Sequence, residues 1–413
     1  MASKHTGHRA GVILAAIVLF TLLATQNVIA QTLQALHVFT GGSDGAKPWA
    51  GLTMDHAGNL YGTASQGGVD DGNVFKLTKS GSGWTFATIY SFQGDTDGSY
   101  PKAQVTFGPD GNLYGTTYAG GITDDCCGTV YKLTYSCRSV VCTWSESVLY
   151  RFQGGSDGSA PVGGIVFDSA GNIYGTTSTG GAGGCGTQGC GTVFKLTPSG
   201  GGWSESVLYR FTGGQDGGAP LATVTLDQGG NLYGAASSGG RNGFGVVFEL
   251  SPSGSGWSQN VLYTFQNGND GATPAASLIF DGAGNLYGTT FHGAPGRNGA
   301  VYELVRSGGG WTINVLYVFP SGTLFGPWAS LLMDGPGNLY GTTYYGGRYH
   351  DGSVFKLTHS SGGWTERDVY SFEIYDGEIV YGNVVLDSNG VIYGTTYVGG
   401  SRANYGEVFE ITQ

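Results

Sequence analysis

An all-β fold, a seven-bladed β-propeller of four-stranded antiparallel blades, is what this 413-residue sequence predicts, and three observations predict it. First, glycine supplies 79 residues, while aromatics make up 13% and charged residues only 11%. Glycine at this level disfavours helices, each costing about 1 kcal/mol relative to alanine inside one. Without a Gly-X-Y triplet the chain is not collagen, and its aromatic content argues against disorder. Second, the hexamer Gly-Asn-Leu-Tyr-Gly-Thr, or a near variant, recurs with its tyrosine at Tyr61, Tyr114, Tyr174, Tyr233, Tyr287, Tyr340 and Tyr393. The steps are 53, 60, 59, 54, 53 and 53 residues, so seven copies fill the chain after residue 30. Third, the repeat is out of phase with the chain ends in a way that closes a ring.

Residues 1–30 differ from the rest. Lys4 and Arg9 precede an apolar run, Gly11 to Ala24, and small residues lead to Ala30, the pattern of a secretory signal peptide cut after Ala30. An uncleaved anchor is the competing reading, but the run falls short of the roughly 20 apolar residues that a span needs. No second apolar segment follows, so no membrane span is expected after cleavage. Removal of the leader leaves 16 Lys and Arg against 29 Asp and Glu, a balance that excludes nucleic-acid binding through a basic face.

Each copy, within a single domain over residues 31–413, divides into four runs. Run A follows a proline and ends near an aspartate, as in Pro161 to Asp168, and its small residues (Ala50 and Gly51, Gly163 and Gly164, Ala276 and Ser277, Ala329 and Ser330) suit the strand nearest a crowded axis. Run B is the Asn-Leu-Tyr-Gly-Thr-Thr stretch. Run C is Gly-Thr-Val-Phe-Lys-Leu-Thr, as at Gly191 to Thr197, and run D starts at a tryptophan and ends Tyr-x-Phe, as at Trp203 to Phe211. Apolar and polar residues alternate in B, C and D, and β-branched and aromatic types dominate them, so these are strands. Asp-x-x-Gly-Asn between A and B and Ser-Gly-Gly-Gly-Trp between C and D are hairpin turns. A β-helical solenoid competes with the propeller, but its coils repeat at shorter periods.

The last copy ends with run C, Gly406 to Thr412, and has no run D. A match to run D stands instead at Leu33 to Phe39, with His37 in the tyrosine position. The opening strand should therefore complete the seventh blade and remove an exposed edge.

Tyr-Gly-Thr-Thr-x-x-Gly-Gly, followed by Gly-Thr-Val-Phe-Lys-Leu-Thr and Gly-Gly-Trp, resembles the GloVer tandem repeat of secreted bacterial proteins, over all seven copies. A weaker likeness to kelch repeats supports the blade assignment. The resemblance implies no established activity and no catalytic residues. Members often carry a C-terminal sorting or anchoring segment; none follows Gln413, so anchoring is not expected.

With A innermost, the D-to-A and B-to-C links share one face, the upper face, where loops on a rigid scaffold carry function. Seven copies provide an internal control: what every copy has is architectural, and departures are candidates. Asp-Gly stands in the D-to-A link at Asp44, Asp97, Asp157, Asp216, Asp270 and Asp376, with Leu324 and Phe325 replacing it in copy 6. A calcium site helped by Asp95 beside Asp97 is one reading; Asx-turns are the favoured one, because Ca²⁺ takes 6–8 converging oxygens. The B-to-C loops vary in order around the ring. Copies 1 and 2 are acidic, with Asp70, Asp71, Asp124 and Asp125, and copies 4 to 7 each carry an arginine: Arg241, Arg297, Arg348 and Arg402. Phe291, Tyr344, Tyr345 and Tyr397 add aromatics to copies 5 to 7, as does Tyr118 in copy 2, while Trp49, Trp328 and Tyr381 begin run A in copies 1, 6 and 7. Closure makes copies 6, 7 and 1 neighbours, so an aromatic, arginine-bearing sector is expected on the upper face, opposite an acidic one. Aromatic faces stack on sugars and arginine forks grip carboxylates; surface arginines and aromatics packed between blades are the bland alternative.

Catalytic candidates are weak: His292 and His350 in upper loops of adjacent blades, beside Arg297, Tyr349 and Asp351, a His–Tyr–Arg group that could abstract a proton next to a uronate carboxylate. No nucleophile elbow, zinc motif or phosphate loop is present. Six cysteines, confined to copies 2 and 3, read as disulfides in an exported chain. Cys137–Cys142 would clamp a hairpin and Cys185–Cys190 an upper loop, with Cys126 and Cys127 a vicinal pair or bridged elsewhere; zinc binding by four of them is the alternative. The sequence thus leads to an extracellular or periplasmic binding module for carbohydrate, including acidic polysaccharide. It is expected to act as a monomer on a glycan or cell-surface component and to need no cofactor, calcium excepted. The alternatives are a polysaccharide lyase or hydrolase on the same face and a structural surface protein.

Overall fold

The computed structural model describes residues 31–412 except 69–70, 82, 124–125, 139–140, 182, 294–297, 321–325 and 401–403. The proposed leader and its cleavage site lie outside these residues. The strands form seven separate four-stranded antiparallel sheets, the blades of a seven-bladed β-propeller. Blade 3 serves as the type: A is Val166–Phe167, B is Ile173–Thr177, C is Thr192–Ser199 and D is Gly202–Arg210, hydrogen-bonded in that order.

Register explains the motif residue by residue. Gly175 lies opposite Phe194, whose ring is fully buried, and a Cβ on the glycine would meet that ring at 2.6 Å. Every blade repeats this conflict at 2.4 to 2.6 Å, so the glycine exists to admit the ring of strand C. The preceding tyrosine, Tyr174, donates its hydroxyl to Asp168 at 3.0 Å, and the same aspartate accepts from the backbone and side chain of Asn172, which fixes the A-to-B turn.

No blade has a core of its own. Buried residues cluster at the seams, where Tyr174 and Val193 of blade 3 meet Val224, Leu232 and Phe248 of blade 4, and each seam of the ring has such a cluster. The tryptophan of strand D fills the outer part of the seam, as Trp257 meets Tyr174 with centroids 6.3 Å apart and Trp144 meets Tyr61 at 6.5 Å. Near the axis the seams are latched by the first threonine after the motif glycine. Thr63, Thr116, Thr176, Thr289, Thr342 and Thr395 each donate to a backbone carbonyl of the next blade's inner segment. Ala235 occupies that position in blade 4.

Run A departs from expectation. The sequence suggests a strand over all of it, yet in blade 3 only Val166–Phe167 pairs with B, and the other blades also pair over two residues. The reason is crowding: a Cβ on Gly163 would lie 2.6 Å from the Ala222 backbone, and one on Gly382 2.4 Å from the Gly51 nitrogen. The inner segments of successive blades touch, and their carbonyls serve the threonine latches instead of a ladder.

Ring closure is as the repeat phase predicts. Thr32–Val38 pairs antiparallel with Glu407–Thr412, Leu33 opposite Ile411 and Val38 opposite Glu407. It carries the register shift found in the other C-to-D ladders, here between Ala35 and His37. Thr395 then latches the seventh blade to Ala50 of the first.

Candidate functional site

Run A starts at the upper face, so its first residue in each blade lines the mouth of the central channel. In ring order these are Trp49, Lys102, Val162, Leu221, Ala275, Trp328 and Tyr381. With the two residues that follow each of them they enclose a space of about 100 Å³, and a wider cavity of about 700 Å³ lies further along run A, lined by Gln104, Ser277, Ser330, Asn383 and the threonines of the short A strands.

The aromatic residues of blades 5, 6, 7 and 1 meet as one continuous arc. Trp49 and Tyr381 stack with centroids 3.9 Å apart and planes 10° from parallel. Tyr397 stands edge-on to both, at 5.3 and 5.1 Å. Tyr344 meets Tyr381 at 4.9 Å and Tyr345 at 4.4 Å, and Phe291 lies 4.7 Å from Trp328. Phe291 is only 8% exposed and underpins Trp328, while the tryptophans and tyrosines are half-buried, with Trp49, Trp328 and Tyr381 lining the opening. Burial raises the Tyr381 hydroxyl pKa, with Tyr344 adding to it, so this phenol stays neutral.

Among the described residues, the cations against the rings of the arc are Lys47 and Lys102. Arg241 is exposed on blade 4, away from the arc, and Arg348 is exposed with its guanidinium 5.6 Å from the Tyr349 ring; Arg297 and Arg402 lie outside the described residues. The Lys47 ammonium sits 5.1 Å from the Tyr397 centroid and donates to the Asn404 carbonyl. The Lys102 ammonium lies 3.5 Å from the Tyr118 centroid and 5.1 Å from that of Trp49. Burial lowers the pKa of both, and Glu378 opposes the effect at Lys47. Glu378 is itself raised by burial and by Asp351. Lys102 is absent from the sequence-based candidates; the signal for it is its register, since it follows Pro101 where Trp49, Trp328 and Tyr381 stand in other copies. Of the acidic loop residues, Asp70, Asp124 and Asp125 lie outside the described residues, and Asp71 belongs to blade 1, beside the arc rather than opposite it.

The remaining candidates are placed as follows. His292 is half-buried against Phe291, ring centroids 4.4 Å apart, and burial lowers its pKa. His350 is exposed with a φ of 68°. Tyr349 is 44% exposed, and a hydrogen bond to Glu373 raises its pKa; Ile374 and Tyr375 beside Glu373, not foreseen as candidates, are 55% and 79% exposed. Asp97 accepts from the Tyr90 hydroxyl at 2.7 Å and from the Gln93 backbone. The same arrangement recurs at Asp157, Asp216 and Asp270, which makes the carboxylate an architectural part of each link. Asp95, proposed beside it for calcium, has a positive φ and is exposed. Among the described residues no group of three His, Cys, Asp or Glu side chains could hold a metal. All six cysteines are in disulfides, Cys126–Cys127, Cys137–Cys142 and Cys185–Cys190, the vicinal reading of Cys126 and Cys127 among them. No helix among the described residues is long and apolar enough to cross a membrane.

A profile of the Gloeobacter/Verrucomicrobia repeat matches residues 18–188, 128–325 and 257–413. Among solved structures, one similar chain is a polysaccharide lyase, an ulvan lyase bound to a GlcA(1-4)Rha3S unit. It is 13% identical, with a TM-score of 0.52 over 88% of this chain and 93% of that one. Another is an oxidoreductase described as a glucose dehydrogenase, from Thermus thermophilus. It is 16% identical, with a TM-score of 0.42 over 76% of this chain and 96% of that one. At these identities the lyase likeness speaks for the fold alone. No curated protein sequence matches this chain.

Proposed function

This chain belongs to the Gloeobacter/Verrucomicrobia repeat family, and on that footing we propose that it is an exported propeller that binds carbohydrate at the upper mouth of its channel. The continuous arc from Phe291 through Trp328, Tyr344 and Tyr381 to Trp49 is the observation that carries the reading. Half-exposed rings present apolar faces for the C–H faces of a sugar, while tyrosine hydroxyls on the same rings supply hydrogen bonds to its hydroxyls. A patch of this kind marks a contact site on an otherwise polar surface. Export agrees with the three disulfides, which persist in oxidising compartments, and with the signal-like residues 1–30.

The test is calorimetric titration of the chain with plant and algal oligosaccharides, a uronate-containing series first because that is the ligand class bound by the lyase of similar fold. Trp49→Ala and Trp328→Ala should each weaken binding at least tenfold, about 1.4 kcal/mol, and Trp328→Phe should retain most of it by keeping the packing on Phe291. Unchanged affinity in both alanine variants would remove the arc from consideration. Release of unsaturated or reducing ends from the sugar, lost on replacing His292 or His350, would replace binding by the lyase or hydrolase reading.

A further inference from the structure

The seven residues at the channel mouth form a natural comparison set, because the repeat places them at equivalent points around the axis. Six are aromatic or aliphatic: Trp49, Val162, Leu221, Ala275, Trp328 and Tyr381. The seventh is Lys102, which puts a charge where every other blade puts an apolar group. Its ammonium is framed by the rings of Tyr118 and Trp49, and among the described residues no carboxylate lies within ion-pair distance of it. Burial lowers its pKa. Lys47, at the other side of Trp49, provides the contrast: its charge is offset by Glu378 and its ammonium is hydrogen-bonded to Asn404.

A lysine that is part-buried without an anion is costly, since desolvation is not compensated by pairing. Two aromatic faces recover some of that cost by cation–π attraction, and they also hold the ammonium still. The result is a fixed cation at the rim of an opening whose other walls suit a sugar ring, lacking only the opposite charge.

We propose that the sugar received at this mouth is acidic, and that Lys102 takes its carboxylate while the ring bearing it lies against Trp49. This rests on the carbohydrate-binding reading above and adds the ligand's charge and the residue that recognises it. Tyr118, whose ring lies closest to the ammonium, acts as a positioning residue that aims the lysine at the opening. Neutral sugars should bind through the arc alone and more weakly.

The experiment uses the chain from residue 31 to 413 with two tetramers of the same backbone, tetragalacturonate and its methyl ester, which differ in the carboxylate charge and the methyl group that masks it. The wild-type chain should bind the acid at least tenfold more tightly than the ester, and the preference should shrink as salt is raised. Lys102→Met keeps the stem and removes the charge; it should abolish the preference while leaving ester binding within about twofold of wild type. Lys102→Arg should retain the preference. Equal binding of acid and ester by the wild-type chain, or a preference undiminished in Lys102→Met, would overturn the assignment to Lys102 and leave the arc standing. Binding that survives Trp49→Ala unchanged would instead overturn the arc, and with it this proposal. A melting curve for Lys102→Met matching that of the wild type ensures that the loss is read at the site.

Discussion

Glu407 illustrates how single side chains in this ring carry penalties that pH can reveal. It begins the last C strand, is almost fully buried, and has a carboxyl oxygen without a hydrogen-bond partner. Burial, with Asp376 adding to it, pushes its pKa up to about 8. Glu146 and Glu205, on D strands of blades 2 and 3, are pushed to about 7 by burial and by Asp97 and Asp157 respectively. An acid whose folded pKa exceeds its unfolded value stabilises the fold at low pH, and that contribution is lost as pH rises through the folded value. The melting temperature should therefore fall between about pH 5 and about pH 9, and Glu407→Gln should lessen the fall; a melting temperature that rises over this window would contradict the assignment. Legibility at this scale is uneven. The aromatics of the arc can be picked out because they break the repeat, whereas Lys102 escapes notice because the conspicuous cations stand in the B-to-C loops and not at the start of run A. Phe291 does belong with the arc, but burial makes it a support for Trp328.

At the level of elements, the B, C and D strands are readable from alternation, because successive side chains enter the seams on opposite faces of the blade, as Ile173 and Tyr174 do. Run A is not: its composition is that of a strand, but contact with the next blade's inner segment displaces all but two residues of pairing. The threonine latches follow from that displacement, and they are testable. Thr342→Ala removes a buried donor to the Gly382 carbonyl and should cost about 1–3 kcal/mol in chemical denaturation, the range for leaving a buried partner unsatisfied. The converse substitution, Ala235→Thr, restores in blade 4 what the other six blades have, and should raise the denaturation midpoint. A loss in both variants would show that the blade-4 seam is packed too tightly for the added hydroxyl and that its alanine is required.

Over the whole molecule, stability resides between blades and not within them, so the ring is only as sound as its closure. Deleting residues 31–39 would strip the edge from Glu407–Thr412, expose the Leu33 and Phe39 packing sites in two seams, and leave an unpaired strand open to other chains. The truncated chain should aggregate or melt well below the full one in scanning calorimetry, and a melting curve equal to that of the intact protein would refute the closure argument. The closure is legible because the absent run D at one end and the extra one at the other agree in phase. Bringing blades 7 and 1 together is also what joins Tyr381 to Trp49, so the site is foreseeable only once the circle is drawn. Depth is not written in the repeat: which rings face the opening and which lie beneath depends on the inner segments' approach to the axis.

The side chains of Thr32 and Thr412 touch across a sequence separation of 380 residues. A growing or translocating polypeptide therefore releases its first strand long before the partner exists. Blades 1 to 6 can each assemble from contiguous sequence, but the seventh must await the final residues, and the long-range step comes last in a fold otherwise built from local hairpins. Until then Leu33, Leu36 and Phe39 have no seam to enter. The early strand is the segment that a chaperone would have to guard until the last residues are made.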